Sequence, residues 1–399
     1  MEPIIIIGAG LAGWTTAREF RKLDTTTPVV LITGDSGDFY AKPSLSNAFA
    51  QKRAPAQLIS TPAATMAQTL NVALLAHTRA EALDVEKQTV QTAQNGVQQT
   101  LVYSQLVLAT GAQPIRVPVQ GTAANRVLSV NSLDDFSVFH SALSPRAAGA
   151  DSSEIDSKTV VIMGAGLIGC EFANDLAYAG FAVDVVHLGG WPLERLLPVE
   201  AGQRLANSLT ALGVNWHFGR TAQHVERTEN GYEVSLDNGE TITADVVLSA
   251  IGLRPRTQLA LAAGIPVGRG IQTNALLETG AAHVYAMGDC AEVEGLNLPY
   301  VQPLMVQARA LAATLAGRYA LEATPTPVVY PPMPVMVKTP AHPVAVLPPK
   351  IGAAGGWQVE CNDTGICALH VDASGNLQGF ALTGTETSRR TALAKTFAV

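Results

Sequence analysis

Charge is scarce in this chain. Of 399 residues, 26 are Lys or Arg and 33 are Asp or Glu, together 15%, where soluble proteins usually carry about 25%. No lysine or arginine cluster is present to neutralise phosphates, and the net charge is −7. Nucleic acid is therefore excluded as a partner. Uninterrupted apolar runs are also missing: none reaches the roughly 18 to 20 residues that a spanning helix needs, so no membrane span is expected. The opening MEPIIIIGAG is acidic where a signal peptide would be basic, which predicts a soluble, cytoplasmic protein. Only four cysteines occur, Cys170, Cys290, Cys361 and Cys367. That is too few for a disulfide scaffold and fits a reducing compartment. No His/Cys spacing resembles a metal site. Apolar residues make up 47% of the chain, which excludes intrinsic disorder, because burying them offsets the entropy of ordering.

A repeat stands out against this background. IIIIGAGLAG recurs as VVIMGAGLIG, with first glycines at Gly8 and Gly164, 156 residues apart. Each copy reads as strand, GxGxxG, helix, strand, the opening unit of a dinucleotide-binding fold. In the first copy Gly8 makes the turn, Gly10 lets the backbone approach a pyrophosphate, and Gly13 lets helix and strand close together. Gly164, Gly166 and Gly169 are their counterparts. Further strand-plus-glycine units end at Gly111, at Gly252 and at Gly288-Asp289. Between them, residues 213–242 alternate apolar and polar around Asn230-Gly231 and Asn238-Gly239, as hairpins do. A proline-rich stretch at 324–334 precedes a final strand-turn-strand region. The pattern predicts an α/β protein with two Rossmann-like domains, the second inserted in the first, and a small C-terminal α+β domain. The expected boundaries are 1–112 with 245–325, then 113–244, then 326–399.

Several residues have two readings. Asp35, 22 positions beyond Gly13 in the loop Gly34-Asp35, suits either a ribose hydroxyl or the cap of a turn. His187 ends the second strand of the second copy, 18 positions beyond Gly169, where an NADH-binding unit usually has Glu. With Arg195 further on, it leaves NADPH open beside NADH, and the retained third glycine leans towards NADH. Glu171, two residues past Gly169, is expected in the first turn of its helix, where the dipole favours an acid. Lys42, read alone, is a solvated lysine. Cys361 and Cys367 flank an NDTG turn and are either a dithiol or strand cysteines packed apart.

The motifs GAGLAG (8–13), ATGA (109–112), GAGLIGCE (164–171), LSAIGLRP (248–255) and VYAMGD (284–289) resemble the two-dinucleotide flavoprotein reductases with a glutathione-reductase-like fold. Within that superfamily, YAKPSLS, GDCAEVEGLNLPY and MPVMVKTPAHPV look most like bacterial rubredoxin reductases. The resemblance implies FAD in the first domain and NADH, or NADPH, in the second. It also implies hydride transfer to the flavin and delivery of single electrons to rubredoxin, a separate acidic iron protein that often serves alkane hydroxylation.

Carried over by residue, Gly10, Leu11, Ala12 and Gly13 would lie under the FAD pyrophosphate. Gly34 and Asp35 would meet the adenosine ribose, and Ala80, after the strand-like LLAHTR, the adenine. Lys42 would reach the flavin end, Asp289 the ribityl chain, and Val301, before a helix, the flavin pyrimidine edge. Lys338 would add a cation there. Glu171 would stand where nicotinamide meets flavin, paired with Lys42. Related disulfide reductases carry CxxC or CxxxxC, and neither spacing occurs here. Peroxide-type relatives carry a cysteine after Leu-Ser, and here that residue is Asn47. Electrons are thus expected to leave from the flavin itself. A [2Fe–2S] ferredoxin reductase, an NADH oxidase and a flavin-bound redox sensor share enough of these motifs to stand as alternatives.

Overall fold

The four isoleucines ahead of the first glycine form the strand Ile4–Ile7, every residue of it buried. A strand covered on both faces has no polar side, so it reads as an unbroken apolar run. The computed structural model describes residues 1–144, 158–318, 325–350 and 352–397. Residues 319–324, just before the expected boundary near 325, lie outside the described residues, as does the start of the proline-rich stretch at 324. The chain divides into two compact units. One contains Met1–Ala41, Ile59–Gln113 and Leu253–Pro331; the other contains Lys42–Leu58, Pro114–Gly252 and Pro332–Val399.

In the first unit, Ile4–Ile7 is the middle of a five-stranded sheet. Its order is Val284–Ala286, Gln105–Leu108, Ile4–Ile7, Val29–Ile32 and Ala73–Leu75. All pairs are parallel. The helices Leu11–Arg21 and Val301–Gly317 pack together. Trp14, fully buried in the first of them, donates its indole N–H to the Gly37 carbonyl at 2.8 Å. An antiparallel sheet of Arg79–Asp84, Thr89–Gln94 and Val97–Val102 completes the unit. LLAHTR divides between two elements: only its two leucines belong to the parallel strand, and Ala80 lies in the antiparallel sheet beside a bulge.

The second unit repeats the design with four parallel strands, in the order Val214–Phe218, Ala182–His187, Thr159–Met163 and Val246–Ser249. The expected hairpins form the sheet Ala222–Arg227, Tyr232–Leu236 and Thr241–Ala244. Gly231 and Gly239 take positive φ at the two turns. The same unit holds the C-terminal antiparallel sheet, in the order Val335–Val337, Val344–Leu347, Leu377–Gly384, Gly365–Val371 and Gly356–Cys361. Ala345, Cys367, Phe380 and Leu382 form its buried core.

Lys42–Leu58 also belongs to the second unit, although its place in the chain falls within the first Rossmann-like fold. Phe49 explains part of this. It packs edge-on against Phe136, Phe139 and Phe181, at ring separations of 5.5 to 5.6 Å, and stacks on His140.

Cys361 stands opposite Ile366, and Glu360 opposite Cys367. Neighbours along a strand face opposite sides of a sheet, so the two thiols project from opposite faces. Cys361 is exposed and Cys367 buried, and all four cysteines are free. The pair is therefore not a dithiol: Cys367 packs in the sheet core and Cys361 faces solvent. Among the described residues no helix is long and apolar enough to cross a membrane.

Candidate functional site

The two glycine turns have nearly the same geometry. Gly8 has φ +114°, and a Cβ there would fall 2.2 Å from the Ala109 carbonyl oxygen; Gly164 has φ +104°, and its Cβ would fall 2.8 Å from that of Ala250. A Cβ at Gly13 or Gly169 would sit 1.9 Å from the carbonyl oxygen of Gly8 or Gly164. Gly10 and Gly166 differ from these: a Cβ at either meets nothing within 4 Å. Each is the N-cap of its helix, and no side chain caps that end. The first-turn N–H groups and the positive end of the dipole thus face open space, which fits a pyrophosphate in both turns.

In the first unit, Leu11 and Ala12 open the helix, and Ala12 abuts the turn Gly288–Cys290. A Cβ on Gly288, at φ +75°, would lie 3.0 Å from that of Ala12. Asp289 is in this way carried next to the helix N-terminus. The turn is tied down by Gln307, a buried amide whose Oε1 accepts the Gly288 N–H at 2.7 Å and whose Nε2 donates to Tyr330. Sequence reasoning missed Gln307, since an amide in a largely apolar helix carries no motif. Asp35 is exposed beside Gly34, and its Oδ1 accepts from Thr33 Oγ1 at 2.6 Å and from the Gly37 N–H at 3.0 Å. The turn-capping role is therefore real, and it involves only that oxygen. Val301 is the first residue of its helix rather than a residue before it, and that helix end also lacks a side-chain cap.

In the second unit the helix begins at Leu167 and has no acid in its first turn. Glu171 therefore stands one turn in, and the helix-end dipole is not what keeps it there. It is 5% exposed. Its Oε2 accepts from Ser46 Oγ at 2.6 Å and from Lys338 Nζ, and its Oε1 accepts the Lys338 N–H at 3.0 Å. Lys338 Nζ also donates to Ser46 at 2.8 Å. The expected pairing of Glu171 with Lys42 is not what forms: the cation on Glu171 is Lys338, while Lys42, at the start of the turn Lys42–Asn47 that carries Ser46, donates to Asn131 Oδ1 at 3.2 Å.

One turn further along the helix, Asp175 is 1% exposed and accepts the N–H groups of Phe49 and Ala50 at 3.0 and 2.9 Å. Burial pushes its carboxyl up to about 6, against the opposing pull of those N–H groups and of the Lys338 charge. Asn174 accepts the Ala341 N–H at 3.1 Å. Ser46, Asn174 and Asp175 went unread in the sequence. For Asn174 and Asp175 the signal was their polarity, with that of Glu171, within the otherwise apolar LIGCEFANDLAY; Ser46 ends YAKPSLS, a motif that gave it no role of its own.

His187 accepts the Ala165 N–H on Nδ1 at 3.3 Å. Burial lowers its pKa, so at neutral pH it is an uncharged imidazole rather than a cation for a 2′-phosphate. Burial also raises the thiols of Cys170 and Cys290, which keeps both protonated and unreactive.

The comparisons agree with this geometry. The model of the pyridine nucleotide-disulphide oxidoreductase family matches residues 2–312, and that of the rubredoxin binding C-terminal domain matches residues 327–397. The rubredoxin-NAD(+) reductase of Acinetobacter baylyi is 44% identical over 392 residues, 98% of this chain and 96% of that one. That of Alcanivorax borkumensis is 44% identical over 396 residues, 99% and 98% of the two chains. Among solved structures, a ferredoxin reductase from Rhodopseudomonas palustris is 26% identical, with a TM-score of 0.83 over 96% of this chain and 91% of that one. With two glycine turns of one design and a matched C-terminal domain, the chain belongs to the pyridine nucleotide-disulphide oxidoreductase family, among the rubredoxin-NAD(+) reductases.

Proposed function

We propose that this chain passes electrons from NADH through FAD to rubredoxin. The observation that carries this reading is the match of residues 327–397 to a rubredoxin binding domain, on a chain whose other 2–312 hold two nucleotide turns. FAD, when bound, supplies the conversion of a two-electron hydride donor into single electrons. The chain's own residues supply position and charge.

Gly10, Leu11, Ala12 and Gly13 would cradle the FAD pyrophosphate, with Gly34 and Asp35 towards the ribose, Ala80 towards the adenine and Asp289 towards the ribityl chain. Val301, at an uncapped helix start, would favour negative charge on the reduced ring. Gly164, Gly166 and Gly169 would take the NADH pyrophosphate. Glu171, locked by Ser46 and Lys338, would set the edge of the nicotinamide pocket, and Lys42, on the turn that carries Ser46, would reach the flavin end. No side chain has to move a proton for the hydride step. In domain terms, 1–112 with 245–325 would hold FAD, 113–244 NADH, and 326–399 the acceptor. The cytoplasm, where thiols stay reduced, suits the four free cysteines.

Charge supports the acceptor. The chain is acidic overall, yet residues 327–397 carry five Lys or Arg against four Asp or Glu. A near-neutral docking face does not repel an acidic iron protein, and electron-transfer complexes are small and steered by charge. The test compares NADH oxidation by the purified protein with rubredoxin, a [2Fe–2S] ferredoxin and oxygen as acceptors. Rubredoxin is expected to be fastest. Negligible rubredoxin-dependent turnover beside rapid ferredoxin-dependent turnover would replace this reading with the ferredoxin one.

A further inference from the structure

The second copy of the motif lacks the acid that normally ends its second strand, and the structure shows a carboxylate brought to that place by another route. The loop after His187 turns back onto the glycine motif. Ala165, the middle residue of GAG, donates its N–H to His187 Nδ1 at 3.3 Å and accepts the Leu193 N–H at 2.9 Å. Leu193 pays for this return with a left-handed φ of +59°, which is unusual for a leucine. The next residue is Glu194. Its Oε1 lies 3.7 Å from His187 Nε2, and its Oε2 accepts the Gly190 N–H at 3.2 Å.

The carboxylate lies where a Cβ on Gly189 would be, 1.9 Å from Glu194 Oε2, so the glycine leaves it room. More of the loop is pinned: Gly219 donates to the Gly189 carbonyl at 3.0 Å, and the Trp191 indole donates to Leu197 at 3.1 Å. Glu194 remains 34% exposed at its side chain, so a ligand can reach it.

We propose that Glu194 is the residue that selects NADH, reading the adenosine ribose from the loop in place of the strand-end carboxylate that His187 replaces. This rests on the reading of the second motif as the NADH site. A carboxylate accepts from a ribose 2′-hydroxyl and repels a 2′-phosphate, so one residue provides both attraction and exclusion. Arg195 follows Glu194 and its charge acts on His187, which makes it the competing determinant.

The test titrates the oxidised holoenzyme, with no electron acceptor present, against NAD+ and NADP+ by calorimetry. Wild type, Glu194→Gln, Glu194→Ala and Arg195→Ala are compared. Loss of a hydrogen bond to a charged group predicts NAD+ binding weakened about tenfold in both Glu194 variants. NADP+ binding should tighten in the same variants. An unchanged NAD+ to NADP+ ratio in both of them overturns the proposal, as does a larger change in Arg195→Ala. Wild-type preference for NAD+ without any rubredoxin reduction would leave this inference standing while the acceptor assignment fell. Wild-type binding of neither nucleotide would overturn the second motif's reading and this inference together.

Discussion

The two glycine motifs start from nearly the same turn and finish in different surroundings. In the first, the helix Leu11–Arg21 carries its charges, Arg18, Glu19 and Arg21, towards its C-terminal end. There Glu19 meets the exposed Lys22 at 2.7 Å. In the second, the helix Leu167–Tyr178 carries Glu171, Asn174 and Asp175 on a buried face, and each holds a segment from elsewhere in the chain. The backbone turn is dictated by what glycine permits. The helix beyond it is free to become either packing or a polar anchor. The second helix is thus also a clasp for residues 46–50 and 338–341.

Substitutions at the third glycine should break both copies most severely. Gly13→Ala and Gly169→Ala each drive a methyl into a backbone carbonyl, and each is expected to cost about 3 kcal/mol or more, read by urea unfolding. The second glycine sharpens the contrast, because its Cβ enters open space. Gly10→Val should leave a folded protein that has lost its yellow colour. Gly166→Val should stay yellow and lose NAD+ binding. If both variants lose the same ligand, the two cradles do not have separate tenants.

The clasp is the next target. Lys338→Met leaves Glu171 buried with less compensation, at a cost of about 3 kcal/mol, while Lys22→Ala removes an exposed pair for about 0.5 kcal/mol or less. Equal losses in urea unfolding would mean the second helix is not anchored through this pair. A smaller effect concerns pH. The Asp175 carboxyl is raised in the folded state from 3.8 to about 6, so the folded protein binds more protons than the unfolded chain in that window. Stability should therefore fall as pH rises through it, on the order of 2 kcal/mol from this group. Asp175→Asn should lack that share of the slope, and parallel wild-type and variant profiles would contradict the assignment.

The smallest effect separates the thiols. Cys361 should react with a thiol reagent in the native protein, while Cys170, Cys290 and Cys367 react only on unfolding. Cys361→Ser should change stability by less than about 0.5 kcal/mol.

How much of this was readable in advance depends on the range of each interaction. Gly8, Gly10, Gly13, Gly164, Gly166 and Gly169 were legible because a turn, an approach and a close packing are local demands that only glycine meets. The parallel strands were legible because burial on both faces leaves no polar alternation. The hairpins followed from their Asn-Gly pairs. Glu171 was singled out on a local argument that the structure does not support: its helix starts at Leu167, so it stands beyond the first turn, and its partners are 125 and 167 residues away. Gln307, Ser46 and Asp175 bond to groups that no spacing rule connects to them.

The sequence by itself determined that this protein is built from two repeats of one nucleotide-binding design, because periodicity and glycine placement are short-range properties of the backbone. Only the tertiary structure decided which groups the carboxylates near those repeats would meet. Long-range contacts put Lys338 and Ser46 on Glu171, set the Phe49 and Ala50 amides on Asp175, and folded a strained loop back so that Glu194 stands beside His187.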